Sequence, residues 1–136
     1  MNRPSGLTAL AVLNFVVALW TLLVGVTHLL MLTGVIQPKE GQALPPETIL
    51  AVTTIFSFVD VALLITAGVG YLKLKRILGR YLGSAEALLA LAYFAFLIGY
   101  VLHLGVPLQF SALKYLVYPG ITLVLLNVVF RENLTL

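Results

Sequence analysis

Four long apolar stretches, separated by short segments rich in turn residues, set the pattern of this chain. The first runs over roughly Leu7–Leu32 and contains no charged residue. The second, roughly Thr48–Leu72, is interrupted by Asp60, and the third, roughly Tyr81–Leu104, by Glu86. The fourth, about Phe110–Phe130, carries Lys114 near its start, where a long aliphatic stem can lift the ammonium to an interface. A helix needs about 20 apolar residues to cross the hydrocarbon core, and each stretch meets that length. Helices joined by short connections pack as antiparallel neighbours. The pattern therefore predicts an all-α fold: one transmembrane domain over 1–136, an up-down four-helix bundle with helices about 7–32, 48–72, 81–104 and 110–130.

The breakers fall between these stretches. Gln37–Glu47 contains Pro38, Gly41, Pro45 and Pro46, and Pro-Pro-Glu suits a helix start. Lys73–Arg80 reads as a short basic loop, and Gly105-Val106-Pro107 ends the third helix. Pro119 with Gly120 predicts a kink in the fourth, because proline removes a backbone hydrogen bond. The apolar run from Gly6 to Ile36 far exceeds a signal-peptide core of about 7–15 residues, so it is expected to stay as the first span.

Composition agrees. Hydrophobic residues make up 61% and charged residues 10% of the 136, with a mean hydropathy of +1.09. Soluble domains carry about 25% charged residues, so this chain could not cover a water-facing surface. The net charge of +3 does not point to nucleic acid, because the basic residues follow topology. With both termini inside, Arg3, Lys73, Lys75, Arg76, Arg80 and Arg131 lie on the cytoplasmic side, and only Lys39 and Lys114 lie outside. The absence of cysteine removes disulfides, thiolate metal sites and cysteine nucleophiles.

The informative residues are the polar ones at membrane depth. Ala11, Asn14, Ala18, Thr21, Gly25 and His28 form a small and polar stripe expected to face protein. At a rise of about 1.5 Å per residue, Asn14, Thr66, Glu86 and Asn127 fall in one inner layer, roughly 9–11 Å from centre. Thr21, Asp60, Tyr93 and Thr122 fall near the midplane, and His28, Thr53, Tyr100, His103 and Tyr115 lie further out. Asp60 stands out, since a charged Asp at a helix centre costs about 2.5–3.5 kcal/mol on insertion scales. It should face the bundle, with Thr53 and Ser57 on its own face and Tyr93 and Thr21 as partners on other helices. Glu86 reads as a helix-start acid near the interface, although a proton path along Glu86, Tyr93 and Asp60 is conceivable. His28 and His103, at similar depth, are the only candidates for haem or other cofactor ligation, without a third ligand or a haem-attachment motif. Gly79-x-x-x-Gly83, Ala95-x-x-x-Gly99 and Ala62-x-x-x-Thr66-x-x-x-Gly70 are close-packing motifs.

Two segments carry a resemblance. Arg3-Pro4-Ser5-Gly6-Leu7-Thr8-Ala9-Leu10-Ala11-Val12-Leu13-Asn14 and Gly68-Val69-Gly70-Tyr71-Leu72-Lys73-Leu74-Lys75-Arg76-Ile77-Leu78-Gly79-Arg80 resemble the corresponding parts of small, uncharacterised prokaryotic four-helix membrane proteins. Those proteins typically have an aromatic before the Gly-Arg, where this chain has Ile77-Leu78. The resemblance implies a prokaryotic cytoplasmic membrane and carries no activity or site residues.

No nucleotide loop, catalytic carboxylate pair outside the membrane or Ser/His/Asp arrangement is present, and the loops leave little room for a catalytic head. The leading expectation is therefore not an enzyme but an accessory or structural subunit packing in the bilayer against other membrane-protein subunits or copies of itself. The alternatives are a small oligomeric proton-coupled transporter or channel using Asp60, and a haem- or quinone-binding electron carrier using His28 and His103.

Overall fold

A computed structural model of the chain describes residues 3–37, 46–103 and 114–136. The described residues build four α-helices: α1 (Ser5–Leu32), α2 (Glu47–Leu72), α3 (Leu82–His103) and α4 (Lys114–Val124). A π-helical turn, Arg76–Tyr81, leads into α3, and a second, Leu125–Val129, continues α4. No strand occurs among the described residues. Three helical stretches are long and apolar enough to cross a membrane: Ser5–Leu32, Glu47–Leu72 and Arg76–Tyr100. The fourth apolar stretch is shorter, Leu116–Val129, and the expected start of that span at 110 lies outside the described residues.

One expected loop is mostly helix. Lys73–Arg80 reads as a basic connection, yet only Lys73–Lys75 form the turn and the helix resumes at Arg76. Nothing in Arg76-Ile77-Leu78-Gly79-Arg80-Tyr81 breaks a helix. Its two arginines are four residues apart and share one face, which can stay wet while Gly79 is buried.

The turns themselves follow from helix-ending chemistry. The last carbonyls of a helix have no partner inside it, and a residue in the left-handed region lets the next amides turn back to them. Gly34 does this for α1, at φ 80, with Val35 N–H donating to Leu30 O at 2.9 Å. Leu74 does it for α2, at φ 55, with Lys75 N–H donating to Gly70 O at 2.9 Å. A left-handed leucine costs roughly 1–2 kcal/mol, and burial of its side chain in the core offsets that strain.

That core lies at one end of the molecule. It joins Leu7, Leu10 and Ala11 of α1, Ala67 and Tyr71 of α2, Leu74, Leu126 after α4 and Leu134 of the C-terminal segment. Arg3 fastens the same end, its Nη1 donating to Leu72 O at 2.9 Å and its Nε to Thr8 Oγ1 at 2.7 Å. A cation at a helix C-terminus also meets the favourable end of the helix dipole. The Leu136 amide donates to Leu74 O at 3.0 Å, so the C-terminal segment is tied to the α2 turn.

Small residues set the helix spacings. On α1 and α2, Gly25 lies against Ser57 and Gly68 against the Phe15 ring, an antiparallel register. Gly70 lies on the backbone of Leu78 and Gly79, where a Cβ would meet the Gly79 nitrogen and Cα and the Leu78 carbonyl carbon. Backbone cannot step aside as a flexible side chain does. Gly70→Ala is therefore expected to destabilise the protein by about 1–3 kcal/mol, the usual range for overpacking. A lowered thermal unfolding midpoint in detergent, with Gly99→Ala as a control whose added methyl meets open space, checks this.

Candidate functional site

The polar residues inside the helical region gather on the buried faces, as they must where lipid offers no hydrogen bonds. On α2, Thr53, Ser57, Asp60, Leu64 and Ala67 are all buried, a line that recurs every three or four residues. Asp60 is 3% exposed and Glu86 of α3 is 4% exposed. The carboxyl groups of these two residues meet across α2 and α3, within interaction distance of each other. A carboxylate only accepts, so a bond between two carboxyls requires that one of them carries the proton. The Oδ1 atom of Asp60 is fully buried.

Depth explains the pairing. Counted from an expected start at Tyr81, Glu86 is interfacial. Counted from Arg76, it stands about 15 Å into a continuous helix at 1.5 Å per residue. Asp60 stands about 18 Å before the end of the antiparallel α2. The π-helical turn thus carries Glu86 to the level of Asp60.

α1 and α4 close the site. Asn14 is buried on α1 and donates through Nδ2 to Leu64 O at 3.3 Å. Its Oδ1 accepts from the Tyr118 hydroxyl of α4. Tyr118 lies within electrostatic reach of both Glu86 and Asp60, and Tyr71 within reach of Tyr118 and Glu86. The Tyr71 hydroxyl points to the Asn14 amide and sits against Gly83, yet makes no hydrogen bond of good geometry. Thr122, one turn beyond Tyr118, is buried and its hydroxyl is also unpartnered. The buried polar groups of α2 and α4 thus lie together in one interior.

The remaining candidates divide. Tyr93 does not reach Asp60: its hydroxyl bonds Thr53 Oγ1 at 2.6 Å, and its ring stacks on Phe56 at 4.0 Å. The group that meets Asp60 is Glu86, while the expected partner Tyr93 is engaged by Thr53. Asn127 binds Arg80 Nε through Oδ1 at 3.1 Å and donates to Ser84 Oγ at 3.1 Å, closing α4 onto the start of α3. Thr66 turns back to its own helix, donating to Ala62 O at 2.6 Å, and does not join the inner layer. The His28 ring bonds Val24 O of its own helix at 2.7 Å, and His103 is exposed. Among the described residues no cluster of three His, Cys, Asp or Glu side chains could hold a metal ion.

Tyr118 and Tyr71 were not among the sequence candidates. Spacing offered a signal for Tyr118: Tyr118, Thr122 and Leu126 repeat every four residues and share the buried face of the fourth helix. Tyr71 reads as an ordinary interfacial aromatic at a helix end, and only packing against Gly83 turns it inward. No family model, curated protein or solved structure matches the chain.

The Asn14–Tyr118 bond is open to a double-mutant test. Tyr118→Phe leaves the Asn14 oxygen buried and unpaired, an expected loss of about 1–3 kcal/mol in unfolding free energy. Asn14→Leu combined with Tyr118→Phe is expected to cost less than the sum of the single changes, because both polar ends of that bond are then gone.

Proposed function

We propose that this chain is a small proton-coupled membrane transporter or channel, acting as a homo-oligomer, in which the Asp60–Glu86 pair takes up and releases the transported proton. The observation that carries the reading is the pair itself: two buried carboxyls from different helices, facing each other inside the helical region. Two adjacent negative charges there would repel and lack hydration, so the pair favours holding a proton between them. Losing that proton changes the charge at the centre of the protein, and ionisable groups inside spans usually serve ion or proton pathways.

Hydroxyls extend from the pair in both directions. Tyr118 and Tyr71 lie toward the end that holds the apolar core and Ser57, Thr53 and Tyr93 toward the other, each able to accept one proton and pass on another. In this reading the helices run alternately across a prokaryotic cytoplasmic membrane with both termini inside. The basic turn after α2 and Arg3 then sit on the side where positive charge is retained.

A second reading, an accessory subunit held in a larger membrane complex, is favoured by Trp20. It stands near the middle of α1 and is 68% exposed, whereas tryptophan usually sits at membrane interfaces. A protein neighbour over α1, another subunit or a second copy, would cover it.

The test is proton flux in proteoliposomes under an imposed pH gradient. Asp60→Asn and Glu86→Gln keep shape and hydrogen bonding but remove the titrating oxygen, and each is expected to abolish the flux while the helical content stays that of wild type. Flux that persists in both variants removes the carboxyl pair from the mechanism. A wild type without flux, recovered only with stoichiometric partner subunits, favours the accessory reading.

A further inference from the structure

The positive end of the molecule holds a depression that the carboxyl site does not use. Its volume is about 610 Å³, and it is lined by Arg76, Arg80 and Tyr81 at the head of α3 and by Arg131, Glu132, Leu134 and Thr135 after α4. Pockets of 300–1,000 Å³ are the usual size for small ligands. Three guanidiniums face one carboxylate, so the lining is net positive.

The lining is also held in place. Arg80 is fixed through its Nε by Asn127, and its guanidinium lies 5.7 Å from the Tyr81 ring centre. Its two terminal nitrogens are left for a ligand, and no Nη hydrogen bond to protein engages them among the described residues. Leu134 is buried in the core and the Leu136 amide is tied to Leu74, which sets the position of Arg131 and Thr135. Arg76 and Arg131 are exposed and reach the opening from opposite elements. Planar guanidiniums with paired donors match phosphate oxygens, and Thr135 adds a hydroxyl donor.

We propose that this depression is a binding site for a phosphate group. It lies where the Arg76–Tyr100 and Leu116–Val129 stretches end, the level at which lipid headgroups meet a spanning protein. The phosphodiester of an anionic phospholipid and a soluble phosphate present the same oxygens, and the experiment separates them. The inference stands on charge and shape alone and does not depend on proton movement at Asp60 and Glu86.

The purified full chain is placed in micelles doped with phosphatidylglycerol or with phosphatidylcholine, and retained lipid is counted by native mass spectrometry. Binding of inorganic phosphate is titrated separately in lipid-free detergent. Arg76→Gln/Arg131→Gln removes two exposed guanidiniums of the pocket and leaves the Arg80–Asn127 bond. Lys73→Gln/Lys75→Gln removes the same charge from exposed residues outside it.

Wild type is expected to retain phosphatidylglycerol over phosphatidylcholine, and the arginine pair variant to weaken this by about 30-fold, with the lysine pair affected far less. Phosphate titrating in detergent, lost in the arginine variant and without lipid preference, identifies a soluble phosphate as the source and equally supports the site. Equal weakening in both double variants assigns the attraction to the general positive field and overturns the site. Binding of neither probe by wild type overturns it as well.

Discussion

The meeting of the Asp60 and Glu86 carboxyls between α2 and α3 is the constraint from which the polar packing of these helices follows. A buried acid at this depth is tolerated only with a partner, and lipid supplies none. Once Asp60 and Glu86 meet, the antiparallel register is set. Thr53 is seven residues before Asp60 and Tyr93 seven after Glu86, two helical turns away on each helix, and their hydroxyls bond at 2.6 Å. At the other end Gly70 lies on Gly79 in nearly the same register, with backbone against backbone. A slide by one turn would separate both polar pairs and drive side chains into that glycine contact.

The same constraint accounts for how α1 and α4 join. Asn14 has an amide with donors and an acceptor, and it spends them on two different helices: Leu64 O on α2 and the Tyr118 hydroxyl on α4. One side chain of α1 thereby bridges helices that share few other polar contacts. The apolar cluster around Leu7, Tyr71, Leu126 and Leu134 holds the same elements together at one end, and polar specificity is added above it. Apolar contact in a membrane discriminates poorly between alternatives, because lipid tails match leucine in polarity. The hydrogen bonds therefore do more to select this packing than their number suggests.

Much of this was legible from residue spacing. The apolar lengths located α1 and α2 to within two residues, while most of the expected Gln37–Glu47 connection lies outside the described residues. The stripe through Asn14 and Ala18 on α1 and the Thr53-Ser57-Asp60 face on α2 are buried as their periodicity indicates. The partner of Asp60 was not legible, for a definite reason. Its identity depends on where α3 begins, and the basic residues of Arg76–Arg80 look like loop when read as charges. They are helix because their arginines share one face and Gly79 fits against Gly70. A shift of five residues in a helix start is about 7.5 Å in depth, enough to move a glutamate from the interface to the side of Asp60. Thr66 failed in the opposite way: its depth matched the inner layer, but its hydroxyl satisfies itself on Ala62 O, an option open to any helical threonine.

The buried polar groups of the interior are satisfied unevenly. A structural hydrogen-bond network in a membrane protein gains from satisfying every member, since a half-satisfied network is less stable than an apolar core. Here Asn127 uses its oxygen and both amide hydrogens, and both polar atoms of Asn14 have a partner. The Tyr71 and Thr122 hydroxyls do not, and Asp60 and Tyr71 belong to the group that surrounds Glu86. Had the acids served only as glue, Asn or Gln would supply two donors and an acceptor without the cost of burying an ionisable group. What a carboxyl pair adds over an amide pair is a proton that can leave. Asp60 and Glu86 thus sit in one connected interior with the residues around them, and Asn14 ties that interior to α4 through Tyr118.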